Sequence, residues 1–188
     1  NMYYLSQSLA FESDKIYFTG SDGSTQEVMM DWEHDIMKAS ADYVAQNGGD
    51  ILEIGFGMGI SAGYIQSHSI SSHTIVENHP DIISRAQEWA IGKPNVKIVT
   101  GSWYDILDDL TKYDGIFYDT YGDEHIQYFE SSLPQLAKDP SVATWWNMLP
   151  NSESIFNFNN IQFQEFNINP PENYYFNSSK YYLPKKQF

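Results

Sequence analysis

Residues 51–63 read ILEIGFGMGISAG: an apolar run reaches an acid, Glu53, and breaks into Gly55, Gly57 and Gly59 at alternate positions. Glycines spaced this way let a backbone pass close beneath a nucleotide-like ligand, because side chains there would occupy the ligand's place. The same glycines would also serve a strand-to-helix turn that needs positive φ. Glu77, in TIVEN, stands 24 residues after Glu53 at the expected end of the next strand. An acid there can accept hydrogen bonds from both ribose hydroxyls, and a solvated strand end is its plainer role. Dinucleotide sites normally use G-x-G-x-x-G, whereas the third glycine here comes one position early. The pattern E-x-G-x-G-x-G therefore points to S-adenosylmethionine.

These residues need a scaffold that brings strand ends together. The segments DILEIGF (50–56), HTIVEN (73–78), VKIVTG (96–101), YDGIFYDTY (113–121) and SVATWWNML (141–149) are short β-rich runs bounded by polar or glycine turns. Between them, Ile60 to His68, Asp81 to Ile91, Tyr104 to Leu110 and Glu124 to Ala137 suit helices, the last despite Pro134. The alternation predicts an α/β, doubly wound, Rossmann-like parallel sheet. Upstream, Met29, Trp32, Ile36, Ser40, Tyr43 and Val44 fall at helical spacing, which predicts an N-terminal helix against the sheet. NIQFQEFNI (160–168) and YYFNSSKYYLP (174–184) read as closing antiparallel strands, because so many aromatic residues demand burial. The expectation is one domain over 1–188, divided into an extension or lid (1–27), a cofactor-binding core (28–150) and short C-terminal strands (151–188).

Composition limits the partners. With 10 Lys+Arg against 25 Asp+Glu, the formal net charge of −15 would repel phosphate backbones and anionic lipid, so nucleic acid and membrane are not expected. The absence of cysteine removes disulfides, thiolate metal sites and cysteine nucleophiles. His34, His68, His73, His79 and His125 show no paired ligand spacing, so no metal is expected. No apolar run of about 18 residues and no basic-then-apolar N-terminus occurs, so a cytoplasmic address is the expectation. Nothing in the sequence decides between a monomer and a homodimer.

VMMDWEHDIM (28–37), GGDILEIGFGMGIS (48–61), TIVENHP (74–80), GSWYD (101–105) and YDGIFYDTY (113–121), in this order, resemble guanidinoacetate N-methyltransferase and its arginine-methylating relatives among class I methyltransferases. INPPENYYF (168–176) extends the likeness more faintly. The resemblance implies an S-adenosylmethionine-dependent enzyme acting on a small guanidino compound. It implies cofactor contacts at Glu53, Gly55, Phe56, Gly57, Met58, Gly59, Ile60 and Ser61, a ribose acid at Glu77 with Asn78 beside it, and an adenine contact at Trp103 with Ser102 alongside. Met29 and Met37 match cofactor contacts from the N-terminal helix, although methionines at helical spacing also suit a core.

Catalysis falls, by the same resemblance, to Glu33 and Asp119. A guanidinium is planar and cationic, its donors suit carboxylates bidentately, and its nitrogens become nucleophilic only when a proton leaves. One acid can clamp the cation while the other accepts the proton as the nitrogen attacks the cofactor's methyl group, and Asp119 is also expected among the cofactor contacts. The chain departs from the family after its fifth strand, where Met148 and Leu149 replace a polar hydroxyl residue near the substrate carboxylate, and in the acidic GDEH (122–125). The segment between Pro150 and Ile161 is also shorter than the family's, and this shortening and GDEH both suit a more open site or a more basic acceptor. The stretch FESDKIYFTGSDGST (11–25) has no counterpart and could supply a lid carrying Tyr17 or Phe18. Two other readings stay open: an O-methyltransferase assisted by a divalent ion at Asp119, and a noncatalytic cofactor-binding module.

Overall fold

A computed structural model describes residues 2–188. The chain opens with a short helix, α1 (Met2–Leu5), and three strands, β1 (Ala10–Phe11), β2 (Lys15–Thr19) and β3 (Thr25–Met30), which form an antiparallel sheet of their own. In β2 the alternation of KIYFT buries Ile16 and Phe18 and turns Lys15, Tyr17 and Thr19 outward. The β2–β3 turn is closed by Asp22, whose Oδ1 accepts the Ser24 amide at 2.9 Å.

Helix formation at Met29 is the first expectation the structure corrects. Met29 and Met30 belong to β3, and only after a 3-10 turn (Asp31–Glu33) does helix α2 (His34–Ala45) begin. Glu33 folds back so that its Oε2 accepts the Met30 amide at 3.0 Å, and Met30 itself is extended at φ −138° and ψ 149°. The helix can start only beyond that closed turn.

The main sheet follows through β4 (Asp50–Ile54), α3 (Ile60–Gln66), β5 (Ser72–Glu77), α4 (Pro80–Ala90), β6 (Val96–Thr100), β7 (Tyr113–Tyr118), α5 (Phe129–Leu136), β8 (Ala137–Trp145), β9 (Gln162–Asn167) and β10 (Lys180–Gln187). Seven strands lie in the order β6-β5-β4-β7-β8-β10-β9. The first five are parallel, and β10 runs antiparallel to both β8 and β9. This is the doubly wound sheet with closing antiparallel strands that the pattern predicts. Strand order reverses between β4 and β7, which opens a crevice at the carboxyl ends of the strands.

Apolar residues fill both faces of the sheet. Ile51 and Phe117 pack with Ile36, Met37 and Val44 of α2, while Leu52, Ile54, Ile116 and Trp145 pack with Phe129 and Leu133 of α5. Gly115 sets the spacing of α2 from β7, since a Cβ there would stand 2.0 Å from the Val44 carbonyl oxygen.

Three further elements differ from expectation. The helix at Tyr104–Leu110 is only a 3-10 turn, Leu107–Asp109, because Trp103 is buried and tied by its indole to Asp123, and Asp105, Asp108 and Asp109 are poor helix formers. The helix at Glu124–Ala137 shrinks to a 3-10 turn (Ile126–Tyr128) followed by α5. The strand at 174–184 begins instead at Lys180, because Asn173 Oδ1 accepts the amides of Tyr175 and Phe176 at 2.9 and 2.8 Å and removes donors that a strand ladder would use. Among the described residues, no helix is long and apolar enough to cross a membrane.

Candidate active site

Three strand tips are knotted together where the glycine motif begins. Gly55 donates its amide to the Val76 carbonyl at 2.8 Å, and Asp119 donates its own to the Ile54 carbonyl at 2.9 Å. Gly55 sits at φ +97°, and a Cβ on it would lie 1.9 Å from the Asp119 carbonyl oxygen, so only glycine fits. The chain then arches over Glu77, whose Oε1 accepts the Phe56 amide at 2.9 Å while Oε2 accepts the amides of Asn78 and His79 at 3.0 Å each. Burial raises the pKa of Glu77, and these three N–H groups oppose the rise. A carboxylate offers about four acceptor positions; three are taken here, and the remaining capacity is at Oε1.

The pocket in this crevice is lined by Gly55, Phe56, Gly57, Ser61, Glu77 and Asn78, with Met29, Trp103 and Asp119 also on its walls. Those nine are among the positions expected at a cofactor. Six others stand elsewhere. Glu53 is sealed beneath the loop, where it accepts hydrogen bonds from Ser61 Oγ and from His73 Nε2, the latter at 2.9 Å. Its carboxylate is spent on holding the first turn of α3, so its reading as a ligand contact is corrected to a supporting one. Met37 is buried at 1% exposure in the core under α2, as the packing alternative for that residue has it. Met58 and Ile60 pack toward the same core, Gly59 supplies the left-handed turn before α3 at φ +78°, and Ser102 is absent from the pocket lining.

Asp119 and Glu33 come from different elements, and the charge of Asp119 reaches Glu33. Asp119 follows β7 and faces the pocket, whereas Glu33 lies behind it, buried at 3% exposure and outside the pocket lining, in the 3-10 turn before α2. Glu33 Oε2 accepts the Met30 amide and the Tyr175 hydroxyl. Burial and the neighbouring Asp119 push the Glu33 pKa up to about 8. Burial, with Glu53 and Glu77 nearby, pushes Asp119 up to about 7. A cation bound near these acids would lower both values.

Several contributors escaped the sequence reading. Tyr4, on α1, covers the pocket, with its ring 4.8 Å from His79 and 4.9 Å from Tyr121. His79 Nδ1 accepts the Asp81 amide at 3.1 Å, so Nε2 carries the hydrogen and donates to the Gln7 carbonyl at 2.9 Å, anchoring this N-terminal segment. Of the two proposed lid residues, Phe18 backs Tyr4 at 6.1 Å, while Tyr17 points outward. Asp123 Oδ2 accepts the Trp103 indole at 2.8 Å and also the Tyr118 hydroxyl. The sequence signals for these groups were Phe18 in the expected lid, His79 in TIVENHP and Asp123 in GDEH, and Tyr4 had none. Beyond β8, Leu149 donates its amide to Asn147 Oδ1 at 3.0 Å, and Met148 is 51% exposed. Among the described residues, no three His, Asp or Glu side chains group as a metal site.

The donor set suits S-adenosylmethionine: an acid with spare acceptor capacity at the β5 tip, a glycine backbone in the middle, an apolar wall at Trp103 and an acid at Asp119. Comparison with known proteins agrees. A family profile described as guanidinoacetate N-methyltransferase matches residues 22–131. Protein arginine N-methyltransferase 2 of Aspergillus oryzae is 38% identical over 136 residues, covering 69% of this chain and 32% of that protein. Its counterpart in Yarrowia lipolytica is 32% identical over 190 residues, covering 89% of this chain and 39% of that protein. The chain thus spans about a third of the length of the curated relatives it matches. Among solved structures, spermidine synthase from Thermotoga maritima superposes with a TM-score of 0.64 at 12% identity, covering 96% of this chain and 72% of that one. Precorrin-6y C5,15-methyltransferase from Geobacter metallireducens superposes at 0.62 with 13% identity, covering 80% and 87%. At such identities these two share the fold alone.

Proposed function

The chain belongs to the guanidinoacetate N-methyltransferase family, and on that premise we propose that it methylates a nitrogen of a guanidino group. Bound in the pocket, S-adenosylmethionine would supply the methyl group as an electrophile on a sulfonium sulfur. Glu77 and Asn78 would hold the ribose, the Phe56–Gly57 backbone the middle of the molecule, and Trp103 the adenine side.

The observation that carries the reading is the acid at the end of β7, Asp119, buried on the pocket wall, with a second buried acid, Glu33, whose pKa it raises. A guanidinium placed between them pairs both charges and is fixed in orientation by their oxygens. Asp119, on the pocket side, accepts the proton that the attacking nitrogen gives up, while Glu33 retains the remaining cationic edge. Tyr175, which donates a hydrogen bond to Glu33, would hold that carboxylate in place.

The acceptor is an arginine side chain within a polypeptide in preference to guanidinoacetate. The amide of Leu149 is already satisfied inside the chain, which leaves less to hold a substrate carboxylate, and both relatives described above carry the name protein arginine N-methyltransferase 2.

Calorimetric titration with S-adenosylhomocysteine, then turnover with guanidinoacetate, free arginine and an arginine-containing peptide, tests this. Cofactor-product binding with methylation of the peptide supports the proposal. Binding without methylation of any guanidine overturns the transfer, and no binding overturns the pocket assignment.

A further inference from the structure

Outside the pocket, three rings form a cluster that the methyl-transfer chemistry does not use, Tyr104 stacking with His125 and with Tyr128, which lie 6.2 Å apart. Tyr104 lies 4.7 Å from Tyr128 with 23° between planes, and 4.9 Å from His125 with 26° between planes. Tyr104 and Tyr128 remain 38% and 39% exposed, so the stack presents aromatic surface to solvent. It is nevertheless rigidly placed. Tyr104 packs edge-on against Trp103 at 5.5 Å, and the His125 amide donates to Asp123 Oδ1 at 2.8 Å. Since Asp123 Oδ2 accepts the Trp103 indole, one carboxylate fastens the stack to the pocket wall. An open groove past Glu124, Ile126 and Met148 shares Thr120 and Asp123 with the pocket, joining the outer surface to the site.

The chemistry of this surface selects its occupant. Lys112 is the single Lys or Arg between residues 101 and 130. Asp105 and Glu124, 71% and 62% exposed, flank His125 Nε2 at 3.9 and 3.7 Å. Aromatic faces edged by carboxylates attract guanidinium and ammonium groups, which lie over the ring while their N–H groups reach the acids. A polyanion would be repelled, and an apolar partner would strip water from the carboxylates without replacing it.

We infer that the Tyr104–His125–Tyr128 cluster, with the groove that begins beside it at Glu124 and Ile126, docks a lysine- and arginine-rich segment of the polypeptide that carries the acceptor arginine. The inference rests on the guanidino-methyltransferase reading and adds the place where residues flanking the acceptor bind.

The test uses two short synthetic peptides: one with a single arginine among lysines, and a twin with norleucine in place of that arginine. Fluorescence anisotropy follows their binding to protein loaded with S-adenosylhomocysteine. Both peptides bind the parent protein, more weakly as salt rises. In the Tyr104→Ala/Tyr128→Ala variant the affinity for both falls about tenfold, the loss expected of one or two cation–π contacts. Asp105→Asn/Glu124→Gln weakens them in the same direction. Affinity for S-adenosylhomocysteine keeps its parental value in both variants, which shows that the fold is intact. If the parent methylates no guanidine but the norleucine twin still binds through the stack, the function reading fails and the docking surface stands. Failure of the twin to bind, or equal affinity in the aromatic variant, overturns the docking surface. So does a homodimer that dissociates in that variant, since the face would then belong to a second copy.

Discussion

Tyr175 donates its phenolic hydrogen to Glu33, a carboxylate 142 residues earlier in the chain. The loop that carries Tyr175 is shaped by Asn173, and the adjoining Tyr174 amide is fixed by Glu27 Oε2 at 2.9 Å. The C-terminal loop and the turn before α2 therefore meet at Glu33, the acid proposed to hold the acceptor.

Removing that hydroxyl has a specific consequence. The Tyr175 hydrogen bond lowers the Glu33 pKa, so Tyr175→Phe raises it further. The expected result is a fall in acceptor kcat/KM of about tenfold near neutral pH, the cost of one hydrogen bond to a charged group. Its rising pH limb should also move to higher pH, with S-adenosylhomocysteine affinity unchanged. A uniform fall at every pH would mark Tyr175 as structural support only.

The two raised acids also fix the sign of the pH dependence. Asp119 titrates near about 7 and Glu33 near about 8, and both act as carboxylates, so acceptor kcat/KM should climb as pH rises from 6 to 9. Stability runs the other way. Both acids keep protons in the folded state that they lose near pH 4 when unfolded, so their penalty is absent below that and grows until each folded pKa is passed. Asp119→Asn removes one such penalty. Its Tm relative to the parent should therefore rise between pH 5 and pH 8.5, as differential scanning calorimetry would show; a constant difference would contradict the assigned burial.

Glu77→Ala should weaken S-adenosylhomocysteine by about 1–3 kcal/mol, the cost of a lost charge-assisted hydrogen bond, while Glu77→Gln loses less. Calorimetric titration reads the difference directly. Parental affinity in Glu77→Ala would remove the ribose role and leave Glu77 as an acceptor for three backbone amides only.

A pair of glycine substitutions tests the strand-tip geometry. Gly55→Ala places a Cβ against the Asp119 carbonyl in a left-handed conformation and should cost about 1–3 kcal/mol or more. Gly63→Ala, inside α3 with open space around it, should instead stabilise by up to about 1 kcal/mol. Denaturant unfolding distinguishes them, and equal effects would mean that the close approach at Gly55 relaxes.

The core of the fold was legible because its signals are local. Strand runs bounded by turns, alternating with helical segments, sufficed for a doubly wound sheet; E-x-G-x-G-x-G marked a loop that lines the pocket, and Asp119 stands at the carboxyl end of the open sheet. The errors cluster where a residue's environment comes from far along the chain. Glu53 looks the same in sequence whether it meets a ligand or His73. Met29 shows helical spacing, yet hairpin pairing with β2 holds it in a strand. Trp103 and three aspartates limit the expected helix after β6 to one turn through an indole contact with Asp123, 20 residues away.

By itself, the sequence determined the sheet and the glycine loop at its strand tips, since periodicity and glycine spacing are properties of short segments, while the two acids were proposed from a family resemblance. The tertiary structure alone decided which carboxylates face the pocket and which are spent beneath it, that Tyr4 covers the cofactor side, and that Tyr175 meets Glu33. Those outcomes depend on long-range packing, which sets the desolvation and the hydrogen-bond partners of each group, and no local pattern encodes either.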